Sequence, residues 1–168
     1  MDLAVVSGLK DLLLREPRLT LAVAESVTCG NLQAAIGTIS GASEFFLGGL
    51  TAYTIDEKVR HLGVDRAHAE PVNAVSREVA EQMARGACTF FGSDLALATT
   101  GYAEPAAARG VLQPLAHWAL AHRRADQTLV LRHGLVERPG AARVEMQEAV
   151  AAAALQALLE YLREFRGT

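Results

Sequence analysis

The sequence predicts an α/β fold, a three-layer α/β/α domain on a mixed β-sheet, and three observations carry that prediction. Short apolar runs alternate with segments of helical period up to Thr100, two strand-like segments then follow in succession, and a long alanine- and leucine-rich helix comes last. Alternation argues for parallel strands joined by helices. The consecutive pair argues for an antiparallel addition to the same sheet.

Leu3, Val6, Leu9, Leu12 and Leu13 recur near helical period up to Glu16, where Pro17 ends the helix by removing a backbone donor. Leu19–Ala24 reads as a buried strand, and Thr28–Ile39 as a helix with Leu32, Ala35 and Ile36 on one face and Ser26 or Thr28 available as its cap. Phe45–Thr54 is a second strand, in which Gly48-Gly49 marks a bulge or a close backbone approach. Asp56–Leu62 is a short helix closed by Gly63, and Ser76 caps another that runs through Val79, Met83 and Ala87 to Phe91. Asp94–Thr100 is a third strand, and Gly101–Gln113, without periodicity, a loop. Leu115–Ala121 and Thr128–Leu135 form a hairpin around the polar stretch His122–Gln127. Val144–Phe165 is the last helix, its face built from Val150, Ala154, Leu155, Leu158 and Leu162.

With 168 residues, 51% of them hydrophobic and 21% charged, the chain can bury the core of one domain spanning residues 1–168 and does not read as disordered. Sixteen basic against 19 acidic residues give a net charge of -3 with no long basic run, which speaks against nucleic acid as a partner. No stretch approaches the ~18 apolar residues of a membrane span, so a soluble, cytoplasmic chain without a membrane partner is expected. Cys29 and Cys88 are too few for a disulfide framework and lack a metal-ligand partner at short spacing, so both are expected as reduced thiols.

Chemistry concentrates first in AESVTCGN, Ala24 to Asn31, where a hydroxyl lies between a buried strand and a helix start. Amides in a first helical turn lack an intrahelical acceptor and can hold an oxyanion or a phosphate. Ser26 is therefore either a nucleophile or simply a cap. Cys29 competes as nucleophile, but no histidine lies near it in sequence, and its ordinary role is a small buried side chain. A serine needs a base. Of the five histidines, His61, His68, His122 and His133 read as solvated in helical or loop contexts, and His117 as a packed or interfacial strand residue. Lys58, just beyond the strand GGLTAYT, is the alternative. As a base it needs its pKa lowered from ~10.4 toward ~7 to 8, hence substantial burial, whereas a helix lysine is ordinarily solvated. Tyr53 ends the same strand and can orient the lysine, meet the substrate or pack on the core. Thr99-Thr100-Gly101 ends the third strand, where α/β sheets place their ligand crevices.

In order, AESVTCG, GGLTAYTIDEKVRHLGV, AVSREVAEQMARGA and DLALATTGYAEP resemble the CinA C-terminal domain family, the nicotinamide mononucleotide amidases, from about Leu19 to Leu159. The family pattern reads AESCTGG, then GGVVAYSNEAKVRLLGV, then AVTGIAGPGG. The resemblance implies hydrolysis of the carboxamide of nicotinamide mononucleotide to ammonia and nicotinate mononucleotide, without a metal or cofactor. It implies a small-molecule amide or nucleotide substrate and a homo-oligomer, for which the alanine-rich last helix offers a flat packing face. Residue by residue, it implies Ser26 as nucleophile, Lys58 as general base and Tyr53 lining the pocket. Amides near Val27, Thr28, Cys29 and Gly30 would hold the oxyanion, Thr100 and Gly101 would border the nucleotide, and Arg143 would face the phosphate.

The chain departs from the pattern in ways that cluster. Val27 and Cys29 replace a cysteine and a glycine, Glu104, Ala106 and Ala107 replace glycines, Ala116-His117 replaces GT, and Gln147 stands where a second arginine is common. A carboxylate in a phosphate-facing loop repels a nucleotide. Two readings follow: an amidohydrolase acting on nicotinamide mononucleotide or a related amide, and a catalytically lapsed member that binds another small molecule or a protein partner. A phosphate-free amide substrate would satisfy both the retained Ser26 and Lys58 and the altered loop.

Overall fold

A computed structural model describes residues 3–167, and the side chains of residues 8–167. Five strands, β1 (Leu21–Glu25), β2 (Phe46–Thr51), β3 (Leu95–Tyr102), β4 (Leu115–Arg123) and β5 (Leu129–Glu137), form one sheet in the order β2-β1-β3-β4-β5. β1 runs parallel to β2 and β3, and β4 and β5 are added antiparallel, so the sheet is mixed as the order of elements predicts. The helices are α1 (Leu3–Leu14), α2 (Asn31–Gly37), α3 (Ile55–Leu62), α4 (Arg66–Ala69), α5 (Arg77–Phe91) and α6 (Arg143–Arg166). No helix among the described residues is long and apolar enough to cross a membrane.

Strand alternation gives the two faces of the sheet different textures. Leu95 and Leu97 of β3 point into a core with Leu9 and Leu13 of α1, Leu32 and Ile36 of α2, and Leu155 and Leu158 of α6. The predicted apolar positions Leu3 and Val6 lie outside the described side chains. Ala96 and Ala98 point the other way, with Ala119 and Ala121 of β4, onto Met83, Ala84 and Ala87 of α5. An alanine floor lets α5 lie close to the sheet, and α3 in turn lies close to α5. There a Cβ built on Gly86 would stand 2.0 Å from the Leu62 carbonyl oxygen. Gly→Ala inside a helix ordinarily adds about 0.5–1 kcal/mol of stability. Gly86→Ala is expected to do the reverse, lowering unfolding free energy in a denaturant titration by about 1–3 kcal/mol, because backbone rather than a pliable side chain must give way.

Several element ends differ from the sequence reading, each for a tertiary reason. β3 takes in Gly101 and Tyr102, expected in a loop, because β4 offers them partners at Ala116 and Leu115. β4 likewise runs on to Arg123, which corrects the reading of His122 as a solvated loop residue. His122 is 2% exposed, its Nδ1 lies 2.7 Å from the Tyr161 hydroxyl, and Phe165 meets the ring edge-on. Burial pushes its pKa down. His133 lies within β5 rather than a loop, 3.3 Å from Glu81. Gly48-Gly49 carries both predicted features: the β1–β2 register slips beside Gly48, and a Cβ on Gly49 would meet Val23 and Gln33. Ala154 of α6 is buried with Leu155, Leu158 and Leu162 of the predicted face, and Ala151 joins them in the same core.

Candidate active site

The carboxyl ends of β1 and β3, the β2–α3 connection and the start of α6 meet around a cavity of about 450 Å³, within the size range of small-molecule sites. Ser26 follows β1 directly and is held to the sheet by its amide, which donates to Thr99 O at 3.0 Å. The chain then turns through left-handed Cys29 (φ 49°) and Gly30 (φ 103°) before α2 begins.

What organises this turn is Glu25, which the sequence reading did not single out. Its carboxylate is wholly buried and accepts from Thr28 Oγ1 at 2.7 Å and from the amides of Gly30, Leu32 and Gln33 at 2.8, 3.1 and 2.9 Å. A carboxylate at a helix N-terminus satisfies orphan donors and sits favourably in the helix dipole. Neither Ser26 nor Thr28 is therefore the cap: Thr28 donates to Glu25 and shares a 2.7 Å hydrogen bond with Thr99 Oγ1. The left-handed pair Cys29-Gly30 explains why α2 starts at Asn31 rather than Thr28.

The same bonds sort the amides expected to hold an oxyanion. Gly30 N–H is committed to Glu25 and Cys29 N–H to Ser26 O at 3.2 Å. The amides of Val27 and Thr28 have no acceptor among the described residues. Gln147, one of the departures from the family pattern, donates to Val27 O at 2.9 Å and so fixes the peptide plane that carries Thr28 N–H. The Cys29 side chain is exposed, not the small buried side chain that the sequence suggests. Its left-handed backbone turns it out of the core.

Lys58 lies in α3, capped by Thr54, whose hydroxyl accepts from Glu57 N–H. It is 2% exposed, against the ordinary expectation for a helix lysine. Nζ lies 2.8 Å from Ser26 Oγ, 2.9 Å from Ala52 O and 3.0 Å from Tyr53 O. Those carbonyls face it because the β2–α3 connection is tied to β1, Ala52 N–H donating to Glu25 O at 2.9 Å. Desolvation lowers the Lys58 pKa to about 8.

At the outer end of the cavity, the half-exposed Tyr53 places its hydroxyl 2.8 Å from Arg143, and the same guanidinium donates to Glu104 at 2.9 Å. Thr100 is buried and donates to Ala74 O at 2.7 Å, so its hydroxyl braces the wall. Gly101 lies where a Cβ would stand 2.4 Å from that of Ala116, so this end of the wall tolerates no side chain. The structure adds a segment that the sequence reading passed over. Asn73 and Ala74, both left-handed, line the cavity, and Asn73 donates to the Tyr102 hydroxyl at 3.0 Å. Only their strained backbone distinguishes them, and composition carries no signal for that. Among the described residues, no group of three or more His, Cys, Asp or Glu side chains could hold a metal ion.

Fold and site together define a three-layer α/β domain with a serine and a buried lysine at the carboxyl edge of its sheet. The family model described as CinA C-terminal domain matches residues 6–162, and the chain belongs to that family. A CinA-like protein of Chlorobium limicola is 36% identical over 157 residues, covering 92% of this chain and 36% of the relative. A CinA-like protein of a Picosynechococcus species is 50% identical over 93 residues, 55% of this chain and 22% of the relative. The chain thus spans about a third or less of the length of these curated relatives. Among solved structures, a competence or damage-inducible protein from Enterobacter asburiae superposes with a TM-score of 0.80 at 27% identity, over 94% of this chain and 98% of that one. A CinA superfamily protein from Klebsiella pneumoniae gives 0.83 at 24% identity over 96% and 97%, a likeness of fold alone.

Proposed function

We propose that the chain is an amidohydrolase acting on nicotinamide mononucleotide or a related carboxamide, with Ser26 as nucleophile and Lys58 as general base. The observation that carries this reading is the 2.8 Å approach of Lys58 Nζ to Ser26 Oγ at the buried end of a cavity. A neutral amine has two N–H donors and one lone pair. Ala52 O and Tyr53 O take the two donors, which turns the lone pair toward the Ser26 hydroxyl. Ser26 Oγ attacks the amide carbon as its proton passes to Lys58. The oxyanion is met by the free amides of Val27 and Thr28, and Lys58 returns the proton to departing ammonia. A water molecule then enters, and its oxygen attacks the acyl carbon as its proton passes to Lys58. Lys58 returns that proton to Ser26 Oγ as the bond to the acyl carbon breaks and the carboxylic acid leaves.

Energetics favour this reading over a lapsed, purely binding role. Holding a lysine at a pKa of about 8 rather than 10.5 costs about 3 kcal/mol of native stability at neutral pH. A binding protein would gain by losing such a residue, whereas a base has use for it.

The pH dependence gives the test. Because only neutral Lys58 accepts the serine proton, kcat/KM for ammonia release should rise with unit slope up to pH about 8 and then level off. A profile flat across that range would remove Lys58 as the base. Stability carries a matching signature. The unfolded chain binds the lysine proton up to about pH 10.5, the native chain only up to about 8. The penalty is therefore full below pH 8 and relieved as pH rises from 8 toward 10.5. Relative to Lys58→Met, the protein should gain about 3 kcal/mol across that window in denaturant titrations.

A further inference from the structure

The inner end of the cavity is buried and holds Ser26 and Lys58, while the outer end is formed by Tyr53, Arg143 and Glu104. Tyr53 spans the two: its carbonyl accepts from Lys58 and its hydroxyl from Arg143. The guanidinium therefore lies one tyrosine side chain away from the reacting pair. A substrate whose amide carbon sits at Ser26 brings its distal group to Arg143.

Lys58 and Arg143 are the cations among the residues lining this cavity, and Glu104 is the anion. Lys58 lies at the inner end beside Ser26, with the length of Tyr53 between it and Arg143, so the charges that a distal group meets directly are those of Arg143 and Glu104, which cancel. A phosphate there gains no net attraction and must either displace Glu104 from a charge-assisted bond or lie beside it. A pair of hydroxyls fits without conflict. One donates to the free lone pairs of the Glu104 carboxylate, and another accepts from guanidinium N–H groups that Glu104 and Tyr53 leave free. Tyr53 and Asn73 add uncharged hydrogen-bonding groups to the same wall.

From this we infer that Glu104 is a specificity-determining residue. By engaging Arg143 it adapts the outer end of the cavity to an uncharged, hydroxyl-bearing tail, so the preferred substrate is a carboxamide on a neutral sugar and not on its phosphate ester. The inference rests on the amidohydrolase reading for the placement of the amide, and binding and turnover measured separately tell the two apart.

In the Ser26→Ala chain, where ligands bind without being consumed, titration calorimetry with nicotinamide riboside and nicotinamide mononucleotide reads the preference directly. The riboside should bind several-fold more tightly than its phosphate. Adding Glu104→Gln should shift that ratio about tenfold toward the phosphate by freeing one positive charge. Tighter binding of the phosphate with Glu104 in place, a ratio indifferent to Glu104→Gln, or binding of neither compound would overturn the assignment. Turnover by the unaltered chain without preference between the two amides would sink this inference and leave the amidohydrolase standing. The riboside preference in binding with no turnover of either would do the opposite.

Discussion

Ser26→Ala is expected to lower ammonia release by at least about three orders of magnitude while leaving the fold intact. The amide that ties residue 26 to Thr99 O is unaffected, and Lys58 keeps both carbonyl acceptors, so unfolding free energy should change by no more than about 1 kcal/mol. Lys58→Met should abolish turnover to the same degree, since a hydroxyl without its base is a poor nucleophile. Combining the two should cost little more than either alone, because residues that act as one unit do not add. Cys29 supplies the control. Its thiol is exposed and is not among the groups that line the cavity, so Cys29→Ser should retain most of the turnover. Turnover surviving in Ser26→Ala and lost in Cys29→Ser would transfer the nucleophile's role to the thiol and end the mechanism proposed above.

How far the sequence reaches can be judged from these same residues. The order of strands and helices is legible because periods of 2 and 3.6 are local, and the consecutive hairpin after Thr100 announces a mixed sheet. That Ser26 sits between a strand and a helix is legible for the same reason. The burial of Lys58 is not, since what buries it is the path of Ala52–Thr54 around its amine, tied back to β1 through Glu25 O. His122 is misread because β4 extends as far as its neighbours offer partners, a property of β3 and β5 rather than of the residues themselves. Cap chemistry is misread because serine and threonine are the usual donors of a capping oxygen, while here a strand residue reaches forward across a left-handed turn. The Glu104–Arg143 pair joins residues 39 apart, and only the fold brings them together.

That forward reach makes Glu25 the residue whose loss should cost most in stability. Four donors converge on one buried carboxylate, and no ion pair to it is found among the described residues, so these hydrogen bonds are what offsets its burial. Glu25→Ala leaves three amides and a hydroxyl without their acceptor. At about 1 kcal/mol or more for each unsatisfied group, the loss should be about 3–5 kcal/mol, a large part of the margin of an ordinary domain. Glu25→Gln is nearly isosteric but turns an NH2 toward donors, so it should lose about 2–3 kcal/mol rather than being tolerated. Both changes also release the turn that follows Ser26 and carries the amides given the oxyanion role in the proposed mechanism. Where the Glu25→Gln chain remains folded, at low temperature, kcat should therefore fall at least about tenfold. Denaturant titration and turnover read the two effects separately. A Glu25→Gln chain as stable and as active as the parent would mean that main-chain donors around the carboxylate organise neither α2 nor the nucleophile turn.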